Sequence, residues 1–174
     1  KTMRTSRRVI LGSLAASLTL ALGACGFSPM YGSSAVGSTL SRIRVETGDE
    51  RVDFLLQEAL IDQMGSRHAD GDLTLRTETD LGATGLGVGA DAIVRRFAIR
   101  LDVDYALYRD GETDPVLVGS TYGEASYNLS GSVYASMISE QDAEARAARM
   151  AAQRVSMQLV RALDEIQTHG PATP

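Results

Sequence analysis

The sequence predicts an α+β domain: two helices packed on one face of a four-stranded, mostly antiparallel sheet, in the order β-α-β-β-β-α. Three observations carry this. From Phe97 to Leu107 every second residue is apolar (Phe97, Ile99, Leu101, Val103, Tyr105, Leu107), the period of a strand with one buried and one wet face. Arg109-Asp110-Gly111-Glu112 follows at once, and Asp-Gly is a hairpin signal. Segments before and after these strands carry apolar residues at helical spacing. Two helices on one face of the sheet then cover every apolar surface.

Each element has its own signal. Ser41 to Glu46 alternates, with Ile43 and Val45 on one side, and reads as the first strand. Thr47-Gly48-Asp49-Glu50 has the S/T-x-x-E form of a capping box. Behind it Val52, Leu55, Leu56, Ala59, Leu60 and Met64 form a helical stripe that Gly65 closes. His68 to Asp72 is a polar turn. Leu73, Leu75, Thr77, Thr79 and Leu81 form one side of a second strand, and Gly82 to Ala90 reads as a Gly-rich loop. The third strand runs from Ile93 to Tyr108. The fourth, from about Val116 to Tyr127, has a mixed pattern that assigns no faces. Ser130 to Ser136 reads as a loop and Ser139 as the N-cap of a long helix ending near Thr168. Its stripe is Ala148, Ala152, Val155, Leu159, Ala162, Leu163 and Ile166, over a length of about 40 Å.

The first residues read as an address. Lys1 to Arg8 is basic, and Val9 to Leu22 is uncharged, too short for a comfortable membrane span. Leu22-Gly23-Ala24-Cys25 has the form of a bacterial lipobox, and Cys25 is the one cysteine in the chain. Its thiol would carry a diacylglyceryl thioether, and three acyl chains would anchor far better than one. Residues 1–24 are therefore expected to be a lipoprotein signal peptide and 25–39 a lipidated tether rich in Gly, Ser and Pro. Residues 40–169 form the single domain and 170–174 a tail.

Composition excludes several functions. The chain has 17 basic and 22 acidic residues, net charge −5. Four of the basic residues precede Cys25, so the remainder carries −9, a poor general nucleic-acid binder. One cysteine excludes an intrachain disulfide framework and a Cys-rich zinc site. Gly82, Gly85, Gly87 and Gly89 lack the Lys-Ser/Thr of a phosphate loop and lead into a strand. No G-x-S-x-G occurs. His68 and His169 lie at helix ends, where a solvated imidazole is expected. Asp102 and Asp104 lack further ligands at metal spacing. No catalytic residue, metal or cofactor is expected. Asn128-Leu129-Ser130 matches a glycosylation sequon that a bacterial lipoprotein has no reason to use.

One feature invites a binding role. The wet side of the sheet collects Arg42, Arg44, Arg76, Arg96 and Arg100, and Arg suits bidentate phosphate recognition. Arg96 and Arg100 share one face of a strand, with Arg76 on the neighbouring strand. Together they are the candidate phosphate contacts of this face. Glu46, Glu78, Asp80, Asp102 and Asp104 share the same side, and neutralisation within the face competes with that role.

Three stretches carry a family resemblance. Cys25-Gly26-Phe27-Ser28-Pro29-Met30-Tyr31-Gly32 resembles the C-G-F-x-P-[LM]-Y-G start of the lipopolysaccharide-assembly lipoprotein family LptE, in its alphaproteobacterial type. Val94-Arg95-Arg96-Phe97 is similar to the start of that family's third strand. Ser126-Tyr127-Asn128, Tyr134-Ala135 and Ser139-Glu140-Gln141-Asp142-Ala143 are similar to its C-terminal part. The resemblance implies a non-enzymatic lipoprotein on the periplasmic side of the outer membrane. It would plug the barrel protein LptD, help it fold and bind lipopolysaccharide in transit, and Arg96, Arg100 and Arg76 would then be the candidate contacts with lipopolysaccharide or the barrel. Cys25 is the one residue whose role carries over, as the lipid site. An auxiliary lipoprotein of a lipid-transporting ABC system is the alternative. A lipid-anchored hydrolase would need a catalytic constellation, which the sequence does not supply.

Overall fold

The computed structural model describes residues 34–67, 70–86 and 95–169. They lie within one of the two compact units of the chain, Ser33–Pro174. Cys25, His68, Gly87 and Gly89 fall outside the described residues. The element order is α1 (Ser34–Leu40), β1 (Arg44–Glu46), α2 (Arg51–Met64), β2 (Leu73–Gly85), β3 (Arg96–Arg109), β4 (Leu117–Asn128) and α3 (Val133–His169). The four strands form one sheet in the order β1-β2-β3-β4. β1 runs parallel to β2, and the other pairs are antiparallel. α3 lies across β3 and β4, and α2 packs beside it toward β1 and β2.

The core follows from the alternation in β3. Ile99, Leu101, Val103, Tyr105 and Leu107 are buried, as the period-two reading expects. They meet Leu56 and Leu60 of α2, Leu75 of β2, and Val155 and Leu159 of α3. Each fully buried Leu or Ile contributes roughly 1.5–3 kcal/mol relative to an exposed one. The Gly65 C-cap also stands: its φ is 70°, a left-handed geometry that only glycine adopts freely.

Five readings shift. Residues 34–39, taken as tether, form α1 together with Leu40, and Val36 and Leu40 are buried in the core. β1 begins at Arg44 rather than Ser41, because the turn leaving α1 occupies residues 41 and 42. The cap of α2 is Glu50, not Thr47: the Glu50 amide donates to Asp53 Oδ2 (3.0 Å). Gly82 to Gly85 belong to β2, paired with Phe97 to Arg100, so the loop starts later. Ser139 lies inside α3, where its hydroxyl donates to the Ala135 carbonyl (2.8 Å). The helix starts two turns earlier, where the Ala135 amide donates to Ser132 Oγ (3.4 Å). At 37 residues α3 is about 55 Å long.

β4 shows why its pattern resisted reading. Its inward positions are Leu117, Gly119, Thr121, Gly123, Ala125 and Tyr127. A Cβ on Gly123 would run into the Ala147 carbonyl of α3, and one on Gly119 would collide with the Tyr105 ring. The helix answers with Ala143, Ala147, Ala148, Ala151 and Ala152, all fully buried. Small residues on both sides bring helix and strand together.

Candidate functional site

With the helices on one side, the other side of the sheet is open, and it carries most of the charged residues of the described strands. Arg76, Arg96 and Arg100 are all exposed there. They share a face but do not converge. Arg96 and Arg100 are four residues apart, about 13 Å along the strand. Arg76 lies opposite Ala106, six residues beyond Arg100 and about 20 Å further along. A single pair of neighbouring phosphates does not span all three.

Local ion pairs occupy most of these guanidiniums. Arg100 grips Asp102 through Nε and Nη2 (2.7–3.0 Å) and lies 3.7 Å from the Tyr122 ring centroid. The Arg100 hydrogen bond holds the Asp102 carboxyl below its ordinary range, and Asp102 in turn raises Arg100. Arg76 Nε donates to Glu46 (3.0 Å) and stacks over Tyr108. Arg44 donates to Asp110 (2.6 Å) and to Thr74 (3.3 Å), which lowers the Asp110 carboxyl. Arg96 donates to Ser126 Oγ (2.9 Å), with no carboxylate partner among the described residues.

The acids are arranged differently. Glu78 is in register with Asp104, and Asp80 with Asp102. Like charges directly opposite repel, so this stretch of the face is acidic. Among the described residues no group of His, Cys, Asp or Glu is placed to hold a metal ion. A groove of about 520 Å³ opens lower on the face. Ala106, Tyr108 and Val118 form its apolar part, with Arg76, Glu78, Asp104 and Ser120 around it.

Two residues of this region were not singled out by sequence. Arg146 and Arg154 of α3 reach over the outer edge of β4. Arg146 donates to the Ser126 carbonyl (3.0 Å) and Arg154 to the Tyr122 carbonyl (2.7 Å). Arg154 also lies 4.5 Å from the Tyr122 ring centroid. Their spacing of eight residues places both on one side of the helix, a signal visible in the sequence.

This surface is broad, charged and largely satisfied within itself. It can meet a polar wall or an extended chain, and it encloses no reaction chamber. No helix among the described residues is long and apolar enough to cross a membrane.

Comparison with known proteins adds to the geometry. Residues 40–163 match the family model described as LptE, lipopolysaccharide-assembly. The structure is similar to that of a candidate lipoprotein from Caulobacter crescentus, at 27% identity and a TM-score of 0.63. That match covers 75% of this chain and 96% of the other. It is also similar to a minor lipoprotein from Acinetobacter baumannii, at 16% identity and a TM-score of 0.57, covering 70% of this chain and 92% of the other. A search of curated proteins finds no match.

Proposed function

Because the chain belongs to the lipopolysaccharide-assembly family LptE, we propose that it is a lipid-anchored, non-enzymatic partner of the outer-membrane barrel LptD. In this reading Cys25 carries the anchor on the periplasmic side. The folded body plugs the barrel, assists its assembly and passes lipopolysaccharide toward the cell surface. The observation that carries the reading is the family match, which spans all four strands, α2 and most of α3.

The open sheet face supports it. A plug needs a surface that tolerates a polar lumen, and ion pairs satisfied within the face meet that need without a ligand. Arg96 and Arg100 are the proposed contacts with the barrel or with lipopolysaccharide phosphates, Arg96 first because no carboxylate among the described residues competes for it. Arg76 would serve a separate contact near the groove.

The test is affinity purification of the tagged, full chain from detergent-solubilised outer membrane, with the copurifying protein identified by mass. A large barrel protein is expected in stoichiometric amount. An inner-membrane transport complex in its place would replace this reading with the ABC-system alternative.

A further inference from the structure

β4 is the last strand of the sheet, so its outer edge has no strand partner among the described residues. The register fixes which backbone groups face outward. The Leu129 amide donates to the Arg95 carbonyl, so odd-numbered residues of β4 bond to β3. Even-numbered residues therefore turn their N–H and C=O groups to the free edge. Arg154 and Arg146 cover the carbonyls of Tyr122 and Ser126. Val118 and Ser120 keep theirs open among the described residues, and Val118 is 65% exposed.

Three further observations describe what fits this window. The 520 Å³ groove is bordered by Val118, Gly119 and Ser120, so it runs up to the same stretch of edge. Arg154 spends one of its N–H donors on Tyr122 and has no carboxylate partner among the described residues. Arg161, seven residues further, lies on the same side of the helix and is exposed, also without a carboxylate partner among the described residues. An open strand edge flanked by guanidiniums without a carboxylate partner among the described residues suits an extended, acidic segment.

We infer that the β4 edge at Val118 and Ser120 accepts an added strand from the barrel partner. The strand carries an acidic side chain to Arg154 and an apolar one to the groove beside Val118. The inference rests on the barrel reading above. A second copy of this chain fits poorly, since a two-fold edge pairing would set Arg154 and Arg161 against the same arginines of the other copy.

Hydrogen exchange on the full chain, alone and in its detergent-purified barrel complex, tests this. The Val118 and Ser120 amides should exchange at least about tenfold more slowly in the complex. Ser120→Pro supplies the second arm. It removes an outward N–H, and the preceding Gly119 tolerates the conformation proline imposes. Circular dichroism should be unchanged while barrel recovery falls about tenfold. A parent chain that recovers no barrel overturns both the function and this inference. Barrel recovered with both amides still in fast exchange overturns the edge inference alone. Protection in the isolated protein that rises with its concentration assigns the edge to a second copy and overturns it as well. If Ser120→Pro does not fold, exchange in the parent decides.

Discussion

Gly123 of β4 lies directly under the Ala147 carbonyl of α3, with no room between them for a methyl group. Gly123→Ala should therefore destabilise the domain by about 1–3 kcal/mol, as overpacking does. The thermal midpoint should fall by several degrees. Gly131→Ala, where a Cβ meets open space, should leave it in place.

Leu159 is fully buried between α3 and the sheet. Leu159→Ala should cost roughly 2–5 kcal/mol, measured by denaturant unfolding of the Cys-less domain. Val133→Ala on the same helix should cost nearly nothing, because Val133 is 87% exposed.

Tyr105 donates its hydroxyl to Gln158 Oε1 (2.6 Å), and burial raises its pKa. The fold thus prefers the neutral phenol. Its contribution is complete below the ordinary tyrosine pKa near 10 and is lost as pH rises through the raised value. Tyr105→Phe should flatten the alkaline limb of the stability profile. Asp102 and Asp110 have lowered pKa values, so they act in the opposite direction. Their contribution is present above the ordinary Asp pKa near 4 and disappears as pH falls through the lowered values. Asp102→Asn should shorten the acid limb. An unchanged pH–stability curve in either variant would remove the assigned cause.

Arg96→Ser with Arg100→Ser should leave the circular dichroism spectrum intact. Binding of purified lipopolysaccharide, or recovery of the barrel, should weaken, and the parent should show the steeper loss as salt rises. Equal binding of both proteins in both assays would leave the pair as a solvated ion-pair surface.

Cys25→Ala should accumulate an uncleaved precursor without acyl mass. Mass spectrometry of the native mature protein should find a diacylglyceryl group and an N-acyl chain on Cys25. An unmodified Cys25 would remove the anchor from the proposed function.

Much of the fold was legible because its strongest signals are local. Six alternating apolar residues announced β3, and Gly65 marked the end of α2 where only glycine fits cheaply. Other elements depend on what lies across from them. β4 looked patternless because Gly119 and Gly123 are inward residues whose virtue is lack of bulk, and hydropathy does not register that. α1 is Ser- and Gly-rich and is held by burial of Val36 and Leu40 in the core, not by propensity. The start of α3 was hidden because Val133, Tyr134, Met137 and Ile138 are helical yet exposed, leaving no buried stripe to read. The candidate arginines were placed on the correct face by parity alone. Their spacing along that face depended on strand register, which alternation does not give.

The extra length of α3 divides one helix into two mechanical regimes. From Ala143 to Leu163 its alanines and leucines pack against the core, and opening that part would expose the buried seam. The first two turns extend past the buried seam, held mainly by helix hydrogen bonds and by the serines at residues 130, 132 and 136. These turns bury little apolar surface, so opening them costs less than opening the packed part. One uninterrupted helix thus joins a packed shaft to an apolar tip whose loss would take little buried surface from the rest.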